Sequence, residues 1–157
     1  MSSNPEDKLL DLNIKLSNPP NPAANYIPFV IQDNFVFISG QLPFINGVLE
    51  VTGRVGENIS VEQAAIQAKH CAINLLSQLK IACKGNLNRV VKVIKLGGFV
   101  CCTDNFTQQP EVINGASNFI VDIFGEEIGQ HSRFAVGTNS LPKGTCVEIE
   151  GIFKIKD

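Results

Sequence analysis

The sequence predicts an α+β domain, a mixed sheet of six strands with two helices on one face. Three observations carry that expectation. Apolar residues recur at the helical period behind Ser60 and again behind Pro110. Short runs rich in Val, Ile and Phe are bounded by Gly, Pro, Asn or Asp. Their order is strand, strand, strand, helix, strand, helix, strand, strand, which packs as helices against one side of a single sheet.

Residues 1–25 are rich in Pro and Asn and read as an irregular N-terminal arm, leaving 26–157 as a single domain. Residues 29–39 alternate loosely and are broken by Asp33-Asn34, which predicts a hairpin. After Gly40-Gln-Leu-Pro43, the pair Asn46-Gly47 marks a tight turn into a third short strand at 48–51. Ser60-Val-Glu-Gln63 has the pattern of a capping box. The stripe behind it runs through Val61, Ala64, Ala65, Ala68, Ala72, Leu75, Leu79 and Ala82, and Lys84-Gly85 ends it.

Residues 89–102 are too apolar for a half-exposed strand and predict a central one covered on both faces. Within it, Gly97-Gly98 marks a bulge or a close approach. Pro110 suits a first helical turn, Val112 through Phe124 supply the second stripe, and Gly125 closes it. Strands at 133–137 and 145–155 flank the turn Leu141-Pro-Lys-Gly144. In the last, Val147, Ile149, Gly151, Phe153 and Ile155 share one face, and Glu148, Glu150, Ile152 and Lys154 the other. Two helices cover one sheet face, so the apolar residues of the other predict association between subunits.

Composition narrows the function. The 157 residues carry 13 Lys plus Arg against 15 Asp plus Glu, a net charge of −2. That leaves no basic field for nucleic acid. No apolar run is long enough to cross a membrane, and the first residues lack the basic and apolar regions of a signal peptide. Five cysteines, odd in number and without a C-x-x-C pair, fit free thiols in a reducing compartment. These features together predict a cytoplasmic protein.

No phosphate loop, dinucleotide fingerprint or zinc ligand set is present, so no metal and no cofactor are expected. His70 and Cys71 are neighbours on a helix and point about 100° apart, poorly placed to share a metal. His131 reads as a surface imidazole at a strand entry. Arg133 is more informative, because it opens an apolar strand where a lone charge is costly. It either grips a ligand carboxylate with its planar fork or pairs with Glu150 or Glu148 across the sheet.

The wider pattern favours the ligand. Residues 36–43, Val-Phe-Ile-Ser-Gly-Gln-Leu-Pro, resemble the Ser-Gly-Gln-x-Pro strand end of the RidA/YjgF family of imine deaminases, also labelled endoribonuclease L-PSP. Residues 131–150, from His-Ser-Arg through Leu-Pro to Val-Glu-Ile-Glu, resemble its C-terminal signature. The resemblance spans about Tyr26 to Ile155. It implies a chorismate-mutase-like fold assembled as a homotrimer, with a small carboxylate ligand held between subunits. It places carboxylate binding on Arg133 and water activation on Glu150, with Tyr26, Gly40, Ser117 and Ala135 lining the cleft.

The implied activity is hydrolysis of an enamine or imine such as 2-aminoacrylate to a 2-keto acid and ammonia. Ala135 stands where the deaminating members carry Cys, and Ser117 where they often carry Asn, which marks a divergent branch. A non-catalytic trimeric module binding a small metabolite is the alternative. A ribonuclease reading rests on the family label alone, and the acidic balance opposes it.

Overall fold

The structure, a computed structural model, describes residues 4–19, 22 and 24–157. The expectation of an irregular arm therefore falls partly on residues outside that description. The described part departs from it at once, because Pro5–Asp11 form a helix, α1. Asn4 caps it by accepting from the Glu6 N–H at 2.9 Å, and Pro5 fills the first turn. So short a helix depends on tertiary contacts. Lys80 Nζ lies 2.7 Å from Glu6 Oε2, and the Leu87 N–H donates to Glu6 Oε1 at 3.0 Å.

The predicted hairpin is present as β1 (Phe29–Gln32) and β2 (Phe35–Gln41), with Asp33 and Asn34 both at positive φ in the turn. The long helix α2 (Val61–Ala82) starts on the expected capping box between Ser60 and Gln63. β3 (Val90–Cys101) leads through a loop to α3 (Gln109–Gly129), and then come β4 (Ser132–Thr138) and β5 (Val147–Ile155). α3 departs from helical geometry at Gly125, where the stripe is expected to end, and resumes for another turn.

Among the described residues the sheet has five strands, not six, in the order β1-β2-β5-β3-β4. β3 and β4 run parallel and the other pairs antiparallel. The missing strand is the run 48–51. Its turn closes immediately in an Ile45–Val48 bridge, and Thr52 makes only an isolated bridge to Thr145. The run thus sits between the tight turn and the positive φ of Gly53 without joining a ladder.

β3 lies in the sheet interior, but the helices cover only one of its faces. α2 and α3 pack on Val93, Leu96, Val100, Ile149 and Phe153, while α1 sits against α3 and the turn at 87–89. The register shifts of β3 lie before Lys95, so Gly97-Gly98 is a close approach. A Cβ at Gly97 would meet the Phe134 ring at 2.5 Å, and one at Gly98 would meet Ile113 at 2.5 Å. Among the described residues no helix covers the opposite face of the sheet. That open face exposes Phe37 (43%), Phe99 (37%) and Val136 (42%), with Phe99 and Phe134 in edge contact at 5.3 Å.

Candidate functional site

Strand register decides which predicted site residues can meet. Arg133 pairs with Leu96 and so lies on the helix-covered face. Phe134, Gly97 and Glu150 are cross-strand neighbours and share the open face. The sheet itself therefore separates Arg133 from Glu150. This overturns the alternative in which the two form an ion pair. Among the described residues the ion pairs are Arg54–Asp104 and Lys80–Glu6, and Arg133 belongs to neither.

Arg133 is fixed by neutral acceptors. Its Nη1 donates to Ser117 Oγ at 3.0 Å, and its Nη2 to the Pro110 carbonyl at 3.2 Å. Both partners belong to α3, which starts at Gln109 and passes over β4. Partial burial lowers the affinity of the guanidinium for its proton, and Glu111 nearby opposes that. A guanidinium stays protonated in either case. Two of its nitrogens are thus anchored while it keeps N–H groups to offer an anion. Ala135 lies one pleat along the same face, half-buried against the core.

Ser117 is held from its other side as well. His131 Nε2 lies 3.0 Å from Ser117 Oγ, and His131 Nδ1 lies 2.6 Å from the Gly129 carbonyl. From the sequence alone this histidine reads as a surface group, and no motif there names Ser117 as its partner. The signal was its place two residues before Arg133 at a strand entry.

A second group lies toward the other edge. Gly40, next to last in β2, lies against the Glu148 carboxyl, and a Cβ there would overlap Glu148 Oε1. Burial, with Glu150 close by, pushes the Glu148 carboxyl above the usual carboxylate range. Glu148 and Glu150 share the open face, and Glu148 is the more enclosed of the two. Tyr26 stands largely exposed just before β1, near the Ser39 Oγ bond to the Ile27 carbonyl (3.0 Å). The candidate residues thus fall into two sets: Arg133, Ser117 and Ala135 at the β4 edge, and Tyr26, Gly40 and Glu148 toward β1 and β2. A groove of about 900 Å³ between α1 and α2, lined by Leu10, Ile14, Ile81 and Lys84, contains neither set.

The comparisons agree with this architecture. The family model described as "YjgF/chorismate mutase-like, putative endoribonuclease" matches residues 6–149. Protein TCP17 of Trypanosoma cruzi is 39% identical over 146 residues, covering 93% of this chain and 91% of that protein. A protein of unknown function from Agrobacterium tumefaciens is 45% identical and superposes with a TM-score of 0.90, over 97% of this chain and 92% of that one. RidA from an Antarctic Psychrobacter is 28% identical, with a TM-score of 0.56 over 88% of this chain and 94% of its own. The strand-end and C-terminal motifs thus sit in the fold of their family: this chain belongs to the YjgF/chorismate mutase-like family.

Proposed function

We propose that the protein hydrolyses small carboxylate-bearing enamines or imines, such as 2-aminoacrylate, in clefts between the copies of a homotrimer. Family membership supports a small-molecule-processing role. The observation that carries the finer reading is Arg133, anchored by Ser117 and Pro110 with no carboxylate in ion-pair range among the described residues. A guanidinium preset in this way suits bidentate capture of a carboxylate.

The proton chemistry falls to the glutamates of β5. In the proposed reaction the enamine gains a proton at its terminal carbon to give the imine. Water then adds to the imine carbon, and ammonia leaves to give the 2-keto acid. A carboxyl with a raised proton affinity can supply the first proton and recover one from water. Glu148 fits that task better than Glu150, being more enclosed and placed against Gly40. Because the sheet lies between Arg133 and the glutamates, the cleft needs Arg133 of one copy beside Glu148 of another. The open face, with Phe37, Phe99 and Val136 exposed, is the surface such an assembly would cover.

The separation of Arg133 from both glutamates within one chain also favours a second reading, a carboxylate-binding module without turnover. The discriminating experiment generates 2-aminoacrylate with a serine dehydratase and follows keto-acid release. Acceleration that is lost in Arg133→Ala supports the hydrolase. Pyruvate binding without acceleration at micromolar protein supports the module.

A further inference from the structure

His131, Ser117 and Arg133 form a hydrogen-bond chain with one self-consistent direction. The Gly129 carbonyl can only accept, so His131 Nδ1, 2.6 Å away, carries a proton. Burial lowers the proton affinity of the ring. The charged groups bearing on it, Arg133 of β4 and Lys92 of β3, oppose a second proton, while Glu111 of α3 bears on Arg133. With Nδ1 protonated and the ring neutral, Nε2 is a bare acceptor 3.0 Å from Ser117 Oγ. Ser117 must then donate its hydroxyl proton to His131, which turns an oxygen lone pair toward Arg133 Nη1 at 3.0 Å.

We propose that His131 is a positioning residue for the anion site. Its neutral ring sets the direction of the Ser117 hydroxyl, and that hydroxyl holds the Arg133 guanidinium in the orientation that receives a carboxylate. The consequence for ligand binding rests on the carboxylate-site reading above, but the positioning itself is a property of the free protein. It also gives Ser117 a definite role, as the relay between an imidazole and a guanidinium.

Two substitutions separate positioning from packing. In His131→Gln the longer side chain brings an amide oxygen to where Nε2 stands, so it can still accept from Ser117. In His131→Asn the amide falls short of Ser117 and can serve only the Gly129 carbonyl. Both remove the ring, so a purely structural role would affect them alike.

The first readout is nitrogen NMR of the free protein at pH 7.5. The wild-type ring should be the neutral tautomer protonated on Nδ1. The Arg133 guanidinium should show separate resonances from hindered rotation, kept in His131→Gln and averaged in His131→Asn. The second readout is calorimetric binding of pyruvate, expected to weaken roughly 10-fold in His131→Asn and less than about 3-fold in His131→Gln. An Nε2-protonated ring, or Arg133 resonances unchanged in His131→Asn, would overturn the positioning role. Wild-type protein with a held Arg133 that fails to bind pyruvate would overturn the carboxylate-site reading alone.

Discussion

Replacing Arg133 by Ala separates its two possible roles, because they predict opposite patterns. The side chain donates to two neutral acceptors, Ser117 Oγ at 3.0 Å and the Pro110 carbonyl at 3.2 Å, and is only half-buried. Hydrogen bonds from a charged donor contribute about 1.5–3 kcal/mol when enclosed, and much less where water can replace them. A stability loss of about 1 kcal/mol follows, or roughly 2–4 °C in Tm for a chain of this size. Loss of a two-pronged carboxylate contact should instead cost about 1.5–3 kcal/mol of binding, roughly 10- to 100-fold in Kd. Arg133→Lys should recover only part of it, since a point charge lacks the planar fork. Calorimetry with pyruvate, paired with a thermal melt, reads both quantities. An intact Kd with a Tm lowered by 8 °C or more (on the order of several kcal/mol) would refute the reasoning. So would recovery of that Tm by Glu150→Gln, since the register keeps the two residues on opposite faces.

Three further outcomes are expected. Burial holds both His70 and His131 below their ordinary proton affinity, so the unfolded chain binds more protons than the fold as pH drops through 6.5. Stability should therefore rise between about pH 5 and pH 7, and melts of a His70→Gln, His131→Gln double variant should show a flatter profile. The buried thiols of Cys83 and Cys146 are each pushed up to about 11 and that of Cys71 is raised as well, so they should resist a thiol reagent at pH 7.5 until the chain is unfolded, as absorbance titration would show. Gly115→Val should destabilise the fold by about 2–3 kcal/mol in urea, because even a Cβ there overlaps the Ala65 backbone of α2.

What the sequence made legible was local. The α2 start, the β1–β2 turn and the alternation of β5 each lie within a few residues, so their patterns could be read directly. α1 had cap signals in Asn4, Pro5 and Glu6, but a seven-residue helix persists only because Glu6 is clamped by Lys80 and Leu87, more than seventy residues away. The run 48–51 looked like a strand because apolar composition does not reveal whether a pairing partner is free. Arg133 was identifiable as an unusual charge. Its face of the sheet was not, since that depends on the register of β4 on β3 and of β3 on β5. The pairing of His131 is not legible either, because its partner Ser117 lies on another element fourteen residues earlier.

The strand order also sets the sharpest test of the proposed cleft. Arg133 is on β4, an edge strand, and β3 and β5 separate it from β2, where Gly40 sits under Glu148. Adjacent strands lie about 4.8 Å apart, so β4 is roughly 10 Å from β5, the strand of Glu148, and with Arg133 and Glu148 on opposite faces one three-carbon ligand cannot touch both within a chain. If clefts form between copies, Arg133→Ala and Glu148→Gln damage opposite walls of each cleft. Either variant alone should be inactive. Mixed in equal amounts by co-expression, they should assemble clefts in which an intact Arg133 from one chain faces an intact Glu148 from another. Random assembly gives that combination in about a quarter of clefts, so about a quarter of wild-type activity should return. A double variant carrying both changes in one chain, co-expressed with either single variant, should restore nothing, because one wall is then missing from every cleft. Mixed single variants that stay inactive would mean that both walls come from one chain, and the two-copy cleft would have to be abandoned.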